Sequence, residues 1–114
     1  MKTDQNAKEL LHSLSYVYGC QGQTRRALVL NLIAARLAPD DREVLRTLAY
    51  TFLLDGAPDQ ALEIIERLCA MQEAGEPTLQ LLKSQALWAA GRHVEARETF
   101  KLYHQQRAMR DAKE

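Results

Sequence analysis

Three histidines, two cysteines and fifteen carboxylates are the side chains of this 114-residue sequence that could hold a metal or move a proton. No two of His12, His93 and His104 lie one helical turn apart, the spacing that lets two imidazoles share a zinc ion. Cys20 and Cys69 lack the paired spacing of a zinc knuckle or a redox motif, and their small and apolar neighbours predict reduced, buried thiols. The carboxylates stand alone or four residues from basic partners, not as a buried pair with separated acidities. There is no glycine-rich phosphate loop and no nucleophile beside a base. The expectation is a chain that is not an enzyme and needs neither metal nor cofactor.

What remains is recognition through a surface, and the charge balance narrows the partner. Fifteen basic residues match fifteen acidic ones, so the field that would draw phosphates or anionic lipid is missing and nucleic acid is not expected. The opening Met1-Lys2-Thr3-Asp4-Gln5-Asn6 is polar with no apolar run behind it, and no stretch reaches the ~20 apolar residues of a membrane span. A cytoplasmic location is therefore expected. An apolar fraction of 46% is enough for a packed core in one unit.

The elements that must present such a surface follow from self-similarity. Gly22, Gly56 and Gly91 recur at intervals of 34 and 35 residues, each followed five positions later by Ala27, Ala61 and Ala96. That period accommodates two antiparallel helices and two turns, the glycine ending the first helix and the alanine allowing close approach in the second. Apolar spacing predicts six helices at about 5–19, 24–37, 41–54, 58–71, 77–90 and 93–109. Asp40 with Glu43 reads as a capping box for the third, Pro58 and Pro77 suit first turns, and Pro39 stops the second helix. Glu73-Ala74-Gly75-Glu76 reads as a loop and Arg110–Glu114 as a fraying tail. The predicted fold is all-α, a single domain over 1–114 with repeats at about 8–41, 42–75 and 77–110.

Superposed, the first repeat gives Leu11, Leu14, Ser15, Tyr18, Gly22, Ala27, Asn31, Ala34 and Pro39. The second gives Leu45, Leu48, Ala49, Phe52, Gly56, Ala61, Ile65 and Leu68, and the third Ser84, Leu87, Gly91, Ala96, Phe100 and Tyr103. This pattern resembles tetratricopeptide repeats, which implies three helical hairpins stacked as a short superhelical solenoid with a concave groove. Two departures stand out. Gln80 and Lys83 replace large apolar residues, predicting a rotated or shifted fifth helix, and Asn31 replaces a core aromatic, predicting a polar partner or partial exposure and a looser first hairpin.

The short length, the segment Leu10-Leu11-His12-Ser13-Leu14-Ser15-Tyr16-Val17-Tyr18 and the lack of an extra capping helix together resemble needle-subunit chaperones of bacterial type III secretion, the YscG/PscG/AscG type. That resemblance implies a concave face holding the amphipathic helix of a needle subunit, whose own helices drive its polymerisation. It also implies a small helical co-chaperone on the N-terminal part, for which Leu10, Leu14, Tyr16 and Val17 are the candidate contacts. Chaperones for translocator proteins are similar but usually longer, with an N-terminal extension.

In a solenoid of helical hairpins the first helix of each repeat lines the concave side. Counting from the close-packing Ser15, Ala49 and Ser84, the groove should receive Glu9, His12 and Tyr16, then Arg46, Tyr50, Leu53 and Leu54, then Leu81, Gln85 and Trp88. Three aromatics and three leucines outside the packing pattern would leave an apolar patch that a partner covers, with Tyr50 and Trp88 as anchors. Plainer readings stand beside these. Tyr50 and Leu53 are equally suited to packing between repeats, Tyr16 to a client or a co-chaperone, and Arg25-Arg26 to a solvated face or an acidic partner. A generic adaptor for extended peptides is the alternative function, although lysine and asparagine clamps are replaced by Glu9, Glu43, Leu81 and Trp88.

Overall fold

A computed structural model describes residues 2–71 and 77–113, so the loop expected at 73–76 lies outside the described residues. Six helices follow in order: α1 (Lys2–Cys20), α2 (Thr24–Leu37), α3 (Arg42–Leu54), α4 (Pro58–Met71), α5 (Pro77–Ala89) and α6 (His93–Lys113). They pair as α1 with α2, α3 with α4 and α5 with α6, and the hairpins stack through α2 on α3 and α4 on α5. The fold is all-helical among the described residues, three tandem hairpins in a short solenoid.

The turn inside each hairpin is built the same way three times. Gly22, Gly56 and Gly91 have φ of 77°, 78° and 82°, the left-handed region that a side chain resists. The residue after each glycine donates its amide to a carbonyl five positions back, Gln23 to Tyr18, Ala57 to Phe52 and Arg92 to Leu87, at 2.8–2.9 Å. This Schellman closure satisfies carbonyls that a helix end leaves open. The next helix starts at once, with Ala27, Ala61 and Ala96 donating amides to the carbonyls of Gln23, Ala57 and Arg92.

Small side chains then let the helices of each hairpin approach. Ala27, Ala61 and Ala96 are buried, as are Ser15, Ala49 and Ser84 on the facing helices. A continuous core joins the second and third hairpins through Leu45, Ile65, Leu68, Leu79, Leu82 and Ala86. The first hairpin joins by a polar contact: Asn31 is fully buried, and its Nδ2 donates to Thr51 Oγ1 of α3 at 2.9 Å. The expected looser first hairpin is not found, because the next hairpin supplies the partner and α1 and α2 pack closely.

Several expectations are corrected. The residue capping α3 is Asp41 rather than Asp40: its Oδ1 accepts from the Val44 amide at 3.1 Å, and the backbone turns helical one residue later than the acidic pair suggests. Both cysteines are exposed rather than buried, because Cys20 closes α1 and Cys69 follows the buried Leu68 onto the outer face of α4. The tail expected to fray continues α6 as far as Lys113. On α5 the core face consists of Leu79, Leu82, Ala86 and Leu87, leaving Gln80 and Lys83 half-buried at its margins. The substituted positions therefore mark a shifted contact face.

Candidate functional site

The first helices α1, α3 and α5 line a trough made of three adjoining depressions. The N-terminal one, about 300 Å³, lies between Tyr16, Gly19 and Cys20 of α1 and Tyr50 and Leu54 of α3. Tyr16 and Tyr50 also wall the middle depression, about 390 Å³, with Arg46, Leu81 and Gln85. Leu81 and Gln85 continue into the third, about 420 Å³, which ends at Trp88, Arg97 and Phe100. Shared walls make the three a continuous surface running across all three hairpins.

Of the sequence candidates, Tyr16, Arg46, Tyr50, Leu54, Leu81, Gln85 and Trp88 come together along this trough. Leu53 does not; it is half-buried against the core of the second and third hairpins. Tyr16, Tyr50, Leu54 and Trp88 are each half or more exposed, an unusual fate for four large apolar side chains on one face. The indole of Trp88 is held in place by His93, stacked across the Gly91 turn with ring centroids 4.1 Å apart. Helical geometry alone determines this lining, since positions one residue beyond the buried Ser15, Ala49 and Ser84 must point to the side that the second helices do not cover.

His12 has a structural role. Its Nε2 lies 2.8 Å from Thr47 Oγ1, and Thr47 gives its own proton to the Glu43 carbonyl, so the imidazole is the donor. Nearby, Lys8 Nζ meets Asp41 Oδ2 at 2.7 Å and ties α1 to the cap of α3. The Lys8 hydrogen bond holds the Asp41 carboxyl below its usual value, with the Val44 amide adding to it and burial opposing it. The same bond pushes Lys8 up. Both ions thus stiffen the wall between the first two hairpins.

The basic pair is likewise used internally. Arg25 Nε lies 3.1 Å from Asp55 Oδ1 in the second hairpin, and the Arg26 guanidinium sits 5.9 Å from the centre of the Tyr18 ring. No group of three histidine, cysteine or acidic side chains able to hold a metal occurs among the described residues. No helix among them is long and apolar enough to cross a membrane.

One surface escaped the sequence reasoning. A depression of about 700 Å³ lies on the side of the second helices, between Val29, Leu32 and Ile33 of α2 and Ile64 and Arg67 of α4. Its size comes from the seam between two hairpins, and its trace in the sequence was the surplus of large apolar residues on α2 beyond the buried Leu28 and Ala34. At the N-terminal edge, Leu10, Leu14 and Val17 of α1 form an exposed stripe beside Tyr16. These are the co-chaperone contacts that the family resemblance implies.

No protein-family model matches the sequence, and no curated protein matches it. Among solved structures the chain is similar to the Yersinia enterocolitica type III secretion translocator chaperone SycD, in the crystal structure of its alternative dimer. The TM-score is 0.79 at 21% identity, over 90% of this chain and 77% of that one. At that identity the likeness establishes the fold.

Proposed function

We propose that this chain is a cytoplasmic chaperone of type III secretion that holds the amphipathic helix of a needle subunit in its trough and so prevents premature polymerisation. The observation that carries the reading is the exposure of Tyr16, Tyr50, Leu54 and Trp88 along one trough spanning all three hairpins. A ligand helix with apolar residues at i, i+3 or i+4 and i+7 would lay its stripe across them, the helix-in-groove mode of recognition. Tyr50 and Trp88 serve as anchors, and Arg46 and Gln85 form the polar margin that sets the register of the ligand.

The mechanism is competition. A subunit that polymerises through its own helices cannot do so while one of them is buried in the trough. A small helical co-chaperone on Leu10, Leu14, Tyr16 and Val17 would cover the second apolar surface, on α1. Similarity in fold to a translocator chaperone favours a second reading, in which the trough holds a segment of a translocator.

Isolation from the native cytoplasm under mild conditions, followed by mass determination of what co-elutes, separates the two. A small subunit that polymerises after release supports the needle reading, and a large protein with apolar spans supports the translocator reading. A folded receptor held equally well by the Trp88→Ala variant would contradict both.

A further inference from the structure

Hairpins related by shifts of 34 and 35 residues let one interface be followed from seam to seam. At the first seam Asn31 of α2 meets Thr51 of α3, and both are buried. At the second, the equivalent positions are Ile65 and Ala86, each with no exposure in the shared core. At the two ends of the solenoid the same positions face solvent: Val17, equivalent to Thr51 and Ala86, is 48% exposed, and Phe100, equivalent to Asn31 and Ile65, is 42% exposed. Leu10 is 61% exposed, whereas its equivalents Val44 and Leu79 are at 1% and 4%.

We infer that the α1 edge of one copy seats on the α6 edge of a second copy, head to tail, so that the hairpin stack continues between molecules. The contact extends an interface that the chain already forms twice within itself. Each side carries what the other lacks. On α1, Leu10, Leu14 and Val17 recur at the spacing of one helical face, as in α3, where Val44, Leu48 and Thr51 are buried against the preceding hairpin. On α6, Phe100 and Tyr103, stacked 5.7 Å apart, stand where Ile65 and Leu68 cover the following hairpin.

The two edges differ, so the contact is heterologous and leaves one α1 edge and one α6 edge open on every linear assembly. Arg97 occupies the place where Leu28 and Leu62 are buried in the other hairpins. A guanidinium there must keep its charge in water, which makes the association weak and reversible. The third depression of the trough reaches Arg97 and Phe100, so a client there and a co-chaperone on α1 would each compete with this contact, which is therefore tested on the chain alone.

Sedimentation velocity of the full chain over a range of concentrations tests it, with far-UV circular dichroism confirming that each variant is folded. The wild type should grow past a dimer as concentration rises, and Val17→Asp and Phe100→Asp should each be monomeric. Mixed in equal amounts, the two variants should form a dimer and nothing larger, because each keeps one intact edge. Leu10→Asp replaces Val17→Asp if that variant does not fold. Arg97→Leu should lower the concentration needed for association about tenfold, equivalent to ~1.4 kcal/mol. A wild type that is monomeric throughout, a closed dimer insensitive to Phe100→Asp, or a mixture that stays monomeric would overturn the inference.

Discussion

Asn31 Nδ2 donates a 2.9 Å hydrogen bond to Thr51 Oγ1 across the seam between the first two hairpins, and both side chains are buried. Thr51 passes its own proton to the Thr47 carbonyl at 2.7 Å, while Asn31 Oδ1 has no hydrogen-bond partner. The pair is thus a polar version of the Ile65 and Ala86 pairing one seam later. Thr51→Ala should cost about 2 kcal/mol, because it strands a buried amide donor. The double variant Asn31→Ile with Thr51→Ala should recover most of that loss in urea unfolding. A double variant no more stable than the single one would show that the polar pair is not the weak point of the seam.

Acid should loosen the same seam through Asp41. Its carboxyl is held low chiefly by Lys8, so it contributes stability that is present above the unfolded value of 3.8 and is lost as pH falls through the lower folded value. Lys8 is raised by the same bond, so its contribution is present below 10.5 and is lost as pH rises through the higher folded value. Unfolding midpoints measured between these limits should be nearly flat, and Asp41→Asn should remove most of the acid-side fall. Asp41→Ala also deletes the cap on Val44 and should cost about 1 kcal/mol at neutral pH.

Two glycines should respond oppositely to alanine. Gly56 has φ of 78° and open space where a Cβ would stand, so Gly56→Ala meets no clash but places a side chain in the left-handed region, at about 1–2 kcal/mol. Gly19 lies within α1, also with open space at its Cβ, so Gly19→Ala should stabilise by about 0.5–1 kcal/mol. Thermal unfolding of the two variants decides this, and a loss at Gly19 would mean that α1 needs its flexibility near the trough.

The exposed cysteines report on the trough. Cys20 lines its N-terminal depression, whereas Cys69 sits on α4, away from it. Both should react with a thiol reagent in the native protein, and a bound client helix should slow Cys20 while leaving Cys69 unchanged. Equal slowing of both would place the client elsewhere.

Much of this architecture could be read from repetition alone. The glycine period set the three turns, and the small residues at Ser15, Ala49 and Ser84 oriented the first helices, which placed Tyr16, Tyr50, Leu81 and Trp88 on one side. Repetition was less informative where equivalent residues have unequal neighbours. Leu10 and Val44 look alike in sequence, but only Val44 has a hairpin in front of it. Leu53 fell to the core because α3 is packed on both flanks, so a position that would face the trough on an end hairpin is half-buried in the middle one. The cysteines were misread because apolar sequence neighbours say nothing about which side of a helix a residue occupies. Asp40 and Asp41 are chemically equal as caps, and only the backbone geometry chooses between them.

Trp88, the only tryptophan in the chain, is half-exposed in the trough and stacked on His93, so its emission reports directly on whether a client helix lies there. Titrating the protein with the amphipathic helix of a needle subunit should give a saturable blue shift. Tyr50→Ala should weaken the fitted affinity about thirty-fold, or ~2 kcal/mol. A complex that forms, by co-elution, while the Trp88 emission stays unchanged would contradict the account of the trough.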